Sequence, residues 1–307
     1  MANASLKLFA GSASRNLGRE LAHSLGCPLS KSTHYPLPNG EPYVELNDSV
    51  EGADVYIIQS LITPASWHLL ELILMADAAK RSGASSIQAI IPYYSYGRQD
   101  RVEVPGQPLG AKCVAQLLEA SKLTKVITLN AHSPHLRSLF GIPLVELSAI
   151  PLLAQTIQDL SPEGPVTFLA ADTGALKLAL EYTRIVSGTG GPPASILKHR
   201  ENAYQVSAKG LLGDVRGKDV WIVDDCVQTG QTLVQAAHLA RQNGARSVSA
   251  AVVHMDMSSD ALKVLKGLGL KHLLTTNSCE NPLVKELVPR VVPIGSLFQN
   301  DITGSCS

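Results

Sequence analysis

The sequence predicts an α/β protein with two similar halves, each a mostly parallel sheet flanked by helices. Short apolar stretches rich in β-branched residues alternate with segments of helical periodicity, and this β-α-β-α order is typical of parallel sheets. Two stretches also recur in the same order at nearly the same separation: 52–58 resembles 217–223, and 79–87 resembles 240–248. The halves therefore look like copies of one α/β domain, and we expect domains at 1–149 and 150–307.

In the first half, the strands, helices and loops can be assigned in order. Strands are expected at 6–10, 55–59 and 87–91, and helices at about 16–25 and 68–81. A Pro-rich loop at 34–42 and a polar, aromatic loop at 93–106 separate these elements. A helix, a strand and a helix follow to about residue 139, and a second unit of the same kind begins near residue 151.

Composition excludes several classes of function. Lys and Arg together number 26, as do Asp and Glu, so no net field favours nucleic acid or an anionic membrane. The N-terminus does not resemble a signal peptide, and no apolar run reaches membrane-spanning length. The five cysteines are scattered and include no C-x-x-C pair, which indicates a cytoplasmic protein without structural disulfides or zinc.

The stretch 220–233 is the centre of the second half. Its first four residues are apolar and predict a buried strand. The helix that follows is predicted from apolar residues at helical spacing, with Gly244 as its end; these residues are Leu233, Ala236, Ala237 and Ala240.

Between this strand and helix lie two carboxylates and a short polar turn, which together suit a sugar phosphate. Asp224 and Asp225 follow the strand and can accept hydrogen bonds from ribose hydroxyls. The backbone N–H groups of 228–232 can point at a phosphate from a helix N-terminus, and Thr229 and Thr232 add hydroxyls. The alternative is a strand that ends in solvent-facing acids before a threonine N-cap.

A second polar stretch, 91–101, leaves a strand of the first half. Arg98 and Arg101 enclose a glutamine and an aspartate, and such a set suits a nucleoside triphosphate because the planar guanidinium matches phosphate oxygens. The alternative is a solvated loop with local Arg–Asp pairs.

Both stretches resemble motifs of known families. Residues 224–232 resemble the phosphoribosyl diphosphate (PRPP) loop of the phosphoribosyltransferase-type fold. Residues 92–101 resemble the Pro-Tyr-x-x-Tyr-x-Arg-Gln-Asp-Arg segment of the ribose-phosphate diphosphokinase family, and the resemblance extends from about Leu8 to Ile294. It implies two duplicated phosphoribosyltransferase-type domains and transfer of the β,γ-diphosphoryl group of ATP to O1 of ribose 5-phosphate, with Mg²⁺, giving PRPP and AMP. It also implies a homo-oligomer with ATP contacts between subunits.

The resemblance also implies residue roles. ATP binding falls to Asn39, Gly40, Glu41, Arg98, Gln99, Asp100 and Arg101. The metal-associated residues are His132 and Asp172, and the charged residues of the catalytic loop are Lys198 and Arg200. Ribose 5-phosphate falls to Arg200, Asp224, Asp225, Gln228, Thr229, Gly230, Gln231 and Thr232.

Four departures from the family pattern leave other functions open. Leu37 replaces an aromatic residue, Asn130 and Gln228 replace aspartates, and Glu51 replaces an effector-binding arginine. Because Glu51 places a carboxylate at the effector position, we expect weak or altered regulation by phosphate and ADP. The competing functions are an inactive regulatory subunit, a transferase that consumes PRPP, and a non-enzymatic nucleotide-binding module. Individually, His132 could be an ordinary loop residue and Asp172 a helix N-cap.

Overall fold

The computed structural model describes residues 5–160, 164–172, 174–187, 192–200 and 206–304, without the side chains of residues 187, 197–200 and 206–209. By their contacts the residues form two compact units. The first comprises Met1–Ser148, Ser278–Glu280 and Pro293–Ser307, and the second comprises Ala149–Asn277 and Asn281–Val292.

The first unit contains a five-stranded parallel sheet of order β1-β4-β5-β6-β7, and a separate hairpin, β2–β3. Its strands are β1 Leu6–Ala10, β2 Ser32–Pro36, β3 Pro42–Leu46, β4 Asp54–Ile58, β5 Ser86–Ile91, β6 Lys125–Leu129 and β7 Leu144–Leu147. Its helices are α1 Arg15–Ser24, α2 Ala65–Arg81, α3 Gly110–Ala120 and α8 Gly295–Thr303, with a short 3-10 helix at Leu136–Leu139. The predicted parallel sheet of the first half is thus confirmed.

The hairpin corrects the prediction of a loop over 34–42. Strands β2 and β3 pair with Tyr35 opposite Tyr43, and the turn is confined to 37–41. Aromatic and β-branched residues favour the strands, whereas Pro36 and Pro42 stand opposite each other at the strand ends, where a missing N–H is tolerated. The prolines thus mark the ends of the strands and do not prevent them.

The carboxyl-terminal segment corrects the expected second domain, 150–307. Helix α8 packs against α1, and the buried side chains of Phe298 and Ile302 belong to the first unit. The N–H of Gly295 donates to Glu20 Oε1 at 2.6 Å. Glu280 caps α1 by accepting the Asn16 N–H at 2.7 Å, because the first N–H groups of a helix have no intrahelical acceptor.

The second unit contains a seven-stranded sheet of order β10-β9-β8-β11-β12-β13-β14, parallel except for β10. Its strands are β8 Val166–Ala170, β9 Ala194–Arg200, β10 Val206–Leu212, β11 Asp219–Val227, β12 Ser247–Met255, β13 Leu273–Thr276 and β14 Arg290–Val292. Its helices are α4 Ile150–Asp159, α5 Leu176–Ser187, α6 Gln231–Gln242 and α7 Ser259–Lys266, with a 3-10 helix at Pro282–Leu287.

Helix α6 confirms the predicted apolar face. The four residues at helical spacing are all fully buried, and they join the apolar residues of β11 and β12 in one core; they are Leu233, Ala236, Ala237 and Ala240. Helix α6 thus packs its apolar face on the sheet, which fixes its amino terminus at the carboxyl end of β11.

Among the residues that the structure describes, no helix has the length and apolar character to cross a membrane.

Candidate active site

The acidic pair of the second unit lies at the carboxyl end of β11, within the strand and not after it as predicted. Strand β11 pairs with β12 as far as Val227, but its pairing with β8 ends at Val223. Asp224 and Asp225 therefore lie where one neighbouring strand has ended. Only 8 % of Asp224 is exposed, and its Oδ1 accepts the N–H of Asp225 at 3.0 Å.

The electrostatic environment of Asp224 disfavours its ionised form. Burial raises the pKa of Asp224 well above its ordinary value, and the negative charges of Asp225 and Asp172 raise it further. Hydrogen-bond donors or a cation supplied by a ligand would offset this cost, since either stabilises a buried carboxylate. The site is therefore suited to ribose hydroxyls or a divalent cation.

Asp172 joins this group from the neighbouring strand. It follows the end of β8, which lies beside β11 in the sheet. Its Oδ1 accepts the N–H of Ala175 at 3.0 Å just before α5. Asp172 therefore makes the capping contact that was its alternative role. Because Asp172 also acts electrostatically on Asp224, the capping contact leaves it part of the acidic group.

The polar turn between β11 and α6 has the geometry expected of a phosphate-binding loop. Gly230 has a φ of 74°, and a Cβ built there would lie 3.0 Å from Cγ of the buried Leu265, so both conformation and space favour glycine. Its carbonyl accepts the N–H of Val234 at 3.0 Å, which leaves the N–H groups of residues 231–233 without an intrahelical acceptor. Thr229 is exposed and Thr232 half-buried.

Gln228 and Gln231 are exposed on either side of this turn. Lys198 and Arg200 lie in β9, opposite Ala208 and Val206 of β10, but their side chains lie outside the described residues. Their assignment to catalysis stays a prediction.

In the first unit, the loop after β5 presents its arginines to solvent. Arg98, Gln99 and Arg101 are exposed, and they line a small surface pocket of about 230 Å³ with Glu103, Gln107 and Pro108. The backbone of Gln99 is fixed on both sides: its N–H donates to Tyr96 O at 2.8 Å, and its carbonyl accepts the N–H of Ala111 at 3.0 Å. A rigid backbone with exposed guanidinium groups is suited to phosphate oxygens.

Asp100 connects this loop to the loop after β6. It accepts the hydroxyl of Ser133 at 2.5 Å, and Ser133 follows the exposed His132. Strands β5 and β6 are neighbours in a parallel sheet, so both loops leave the same edge. Arg101 forms an exposed ion pair with Glu103 at 3.3 Å.

The predicted adenine-contacting residues form the tip of the β2–β3 hairpin. Leu37 and Glu41 close the turn, the N–H of Leu37 donating to the carbonyl of Glu41 at 2.8 Å. Gly40 has a φ of 87°, and Asn39 Oδ1 accepts the N–H of Glu41 at 3.2 Å. All three of Asn39, Gly40 and Glu41 are exposed, so their polar groups are available to a base edge.

The two predicted metal-associated residues belong to different units, His132 to the first and Asp172 to the second. Over the described parts of the chain, no group of three or more His, Cys, Asp or Glu side chains could hold a metal ion. Mg²⁺ commonly keeps several waters and uses one or two carboxylates together with substrate phosphates. The acidic group around Asp224 fits such an ion, since a cation would stabilise it.

We expect the buried Asp224 to make the ligand-free protein less stable as the pH rises. Between the unfolded pKa of 3.8 and the raised folded pKa, the folded state holds a proton that the unfolded state has lost. The free energy of unfolding therefore falls by up to about 1.4 kcal/mol per pH unit in this window, and it no longer changes above the folded pKa. Asp224→Asn should remove this slope, as measured by thermal unfolding from pH 4 to pH 8 without divalent ions.

Asp214→Asn is the matched control. Asp214 is an exposed carboxylate, and its hydrogen bond with Lys218 lowers the pKa of Asp214. It should leave the slope in place. An Asp224→Asn variant with the wild-type slope would show that Asp224 is ionised without cost.

Comparisons with known proteins agree with the two units. Residues 6–121 match the N-terminal domain of ribose phosphate pyrophosphokinase, and residues 135–267 match the phosphoribosyl transferase domain. The chain is 35% identical over 300 residues to the ribose-phosphate pyrophosphokinase of Porphyromonas gingivalis, covering 98% of this chain and 94% of the relative. It is 36% identical over 275 residues to that of Aquifex aeolicus, covering 89% and 87%.

Among solved structures, the phosphoribosylpyrophosphate synthetase of Mycobacterium smegmatis is similar, with a TM-score of 0.90, 30% identity and 98% coverage of both chains. The resemblance inferred from the two sequence motifs is thus confirmed over nearly the full length. The chain belongs to the ribose-phosphate pyrophosphokinase family.

Proposed function

We propose that the protein is a ribose-phosphate pyrophosphokinase, which transfers the β,γ-diphosphoryl group of ATP to O1 of ribose 5-phosphate and yields PRPP and AMP. The observation that carries the proposal is that one chain combines two different loops. The second unit has the acidic pair and phosphate-binding turn, and the first has an arginine loop with a rigid backbone. A transferase that only consumes PRPP would not require the arginine loop of the first unit.

Ribose 5-phosphate binds along the β11–α6 turn. The 5-phosphate accepts hydrogen bonds from the N–H groups at the start of α6 and from the hydroxyls of Thr229 and Thr232, where the helix dipole also favours an anion. The ribose hydroxyls donate to Asp224 and Asp225, which stabilises the buried carboxylate of Asp224.

ATP binds to the first unit. Arg98 and Arg101 contact the phosphates from the loop after β5, and Gln99 adds a polar contact. The turn of the β2–β3 hairpin contacts the base with the exposed side chains of Asn39 and Glu41. Asp100 holds the arginine loop to the loop that carries His132.

The reaction is an in-line attack of the O1 hydroxyl on the β-phosphorus, and AMP leaves. Such a transfer depends on positioning and charge neutralisation, with little covalent work for the protein. Lys198 and Arg200 neutralise the charge of the transferred group. Mg²⁺ would supply further charge neutralisation. In the second unit, Asp172 and the acidic group around Asp224 would hold such an ion, and in the first unit His132 is the predicted metal-associated residue.

The enzyme acts as a cytoplasmic homo-oligomer. Anion effectors act weakly, because Glu51 stands at the expected phosphate-binding position. Arg81, a cation that could substitute, is engaged with Asp77 at 2.6 Å.

The proposed function predicts separate effects on the two substrates. Asp224→Asn should raise the KM for ribose 5-phosphate and leave that for ATP nearly unchanged, whereas Arg98→Ala should do the reverse. The measurement is AMP formation from ATP, Mg²⁺ and ribose 5-phosphate with each substrate varied in turn. No AMP from the wild-type protein would favour an inactive regulatory subunit, and an equal loss for both substrates in Asp224→Asn would contradict the assignment.

Lys198→Ala and Arg200→Ala should each lower kcat far more than substrate binding. A positioned charge that acts mainly in the transition state contributes about 2.7–4 kcal/mol, which corresponds to roughly 10²–10³ in rate. Steady-state kcat and equilibrium dialysis of both substrates provide the measurement. Lys218→Ala is the control, at a half-buried lysine paired with the exposed Asp214. Full turnover in either variant would remove that residue from catalysis.

Asn130→Asp should lower the Mg²⁺ concentration needed for half-maximal activity. Asn130 has a φ of 39°, a conformation that asparagine and aspartate both tolerate, so the change adds a charge near His132 without backbone strain. The measurement is initial rate against free Mg²⁺ at saturating substrates. A half-saturating concentration equal to or above that of the wild type would show that residue 130 does not act on the metal.

A further inference from the structure

The first unit contains a buried polar cluster that the proposed mechanism does not use. It consists of Ser12, His34, Gln59 and Glu71, from the loop after β1, strand β2, the end of β4 and helix α2. Glu71 is 1 % exposed and Gln59 is fully buried. A charged side chain at such a position is retained only with good partners.

The partners of Glu71 are complete. Its Oε1 accepts the N–H of Ser12 at 3.1 Å, and its Oε2 accepts the hydroxyl of Ser12 at 2.6 Å and the amide of Gln59. His34 Nδ1 lies 2.9 Å from Oε1, with the imidazole side chain only 6 % exposed. Burial acts to raise the pKa of Glu71, but its interactions with His34 and Ser12 together lower it, so the carboxylate is ionised at neutral pH.

The cluster lies where the second unit has its sugar-phosphate site. In the repeat that relates 52–58 to 217–223, Gln59 and Ser60 correspond to Asp224 and Asp225. In the second unit this edge has the buried Asp224 and the half-buried Asp225, whereas in the first unit the carboxylate of Glu71 accepts hydrogen bonds from the protein itself. At the equivalent edge of the first unit, these polar groups therefore bond to one another and not to a ligand.

His34 connects this closed edge to the β2–β3 hairpin. Strand β3 is attached to the core through apolar contacts, since Val44 and Leu46 pack against the cluster that contains residues of α2. Strand β2 contributes His34, whose Nε2 lies 2.6 Å from Ser32 Oγ. Its Nδ1 is buried and has Glu71 Oε1 as its near neighbour, at ion-pair distance but without hydrogen-bond geometry. The orientation of the ring, and with it that of β2, depends on the Glu71 carboxylate.

We propose that Glu71 and His34 are positioning residues for the nucleotide. They fix β2 on α2 and thereby set the place of the hairpin turn with Asn39, Gly40 and Glu41. The inference rests on the proposed function, in which this turn contacts the base of ATP. Loss of either side chain should shift the hairpin turn slightly. The conformations of the arginine loop and of the second unit should not change.

The test uses His34→Gln and Glu71→Gln in the full-length protein. Displacement of a positioning group by about 1 Å can cost up to 10²-fold, so we expect the KM for ATP to rise roughly tenfold. The KM for ribose 5-phosphate and kcat at saturating ATP should change less than twofold. Hydrogen exchange of the amides in 32–46 should become faster, and exchange in β11 and α6 should not.

Two controls match these variants. Thr33→Ala removes a hydrogen bond from the neighbouring position of β2, where Thr33 Oγ1 donates to Asn47 Oδ1 at 3.0 Å and does not contact Glu71. Asp77→Asn removes a charge from the exposed face of α2. Neither should change the KM for ATP.

The double variant Gln59→Glu/Glu71→Gln separates positioning from packing. The exchange restores a buried carboxylate next to an amide, so thermal stability should return towards the wild-type value. The carboxylate then lies at position 59 and no longer faces His34. If the pair acts by positioning, the KM for ATP stays high in this stable protein. Return of the KM for ATP to the wild-type value together with stability would overturn the proposal.

Unchanged hairpin exchange and an unchanged KM for ATP in His34→Gln would also overturn it. Failure of the proposed function looks different. In that case the wild-type protein forms no AMP, and hydrogen exchange in His34→Gln still reports whether the pair holds the hairpin.

Discussion

The second unit depends on keeping one carboxylate, Asp224, buried at the carboxyl end of β11. Its burial beside Asp225 and Asp172 is unfavourable in the ligand-free protein, as the raised pKa of Asp224 shows. The fold tolerates it because fully buried apolar residues of β11 and α6 belong to a core that supplies stability elsewhere in the unit. A ligand that brings hydroxyl donors or positive charge relieves this cost on binding, so part of the specificity of the site lies in the protein's own unfavourable electrostatics.

The two units show two outcomes of the same topology. In each, a parallel strand brings polar residues to its carboxyl end beside the amino terminus of a helix, a place suited to anions and sugars. The second unit leaves this edge open, with a glycine turn whose N–H groups have no intrahelical acceptor. The first unit fills the edge with Glu71, and in the proposed function it binds its ligand with the loops after β5 and β6. In the proposed function, the unit whose equivalent edge is closed binds a different molecule through its other loops.

The sequence predicted the features that depend on local periodicity. The sheet of each half and the apolar face of α6 were predicted correctly, since burial of an apolar stripe requires that spacing. The sequence does not predict the hairpin, because Pro36 and Pro42 indicate a loop, whereas in the structure they stand at strand ends. The length of β11 was underestimated because the acidic pair resembles the end of a strand, whereas pairing with β12 alone continues it to Val227.

Other features depend on contacts between distant parts of the chain, which no local pattern records. The return of 278–280 and 293–307 to the first unit depends on pairs such as Glu20 with Gly295, and on the burial of Phe298. Glu71 gave one weak signal, a carboxylate among the apolar positions of α2, but its partners Ser12 and His34 come from other elements. The site residues are predicted from motif resemblance alone. The structure adds the backbone conformation of each motif, which the sequence pattern does not contain.

The departures from the family pattern fall where the backbone carries much of the function. At the β11–α6 turn, the proposed donors to phosphate are N–H groups at the start of α6, so this proposal does not require the exposed side chain of Gln228 to hold the anion. A neutral residue there also removes a negative charge that would repel the phosphate. Asn130 preserves the left-handed conformation that an aspartate would adopt, and its N–H still donates to Leu147 O at 2.9 Å. Both substitutions change local charge and leave the framework of the site in place, so we expect them to adjust the affinities for phosphate and metal without abolishing the reaction.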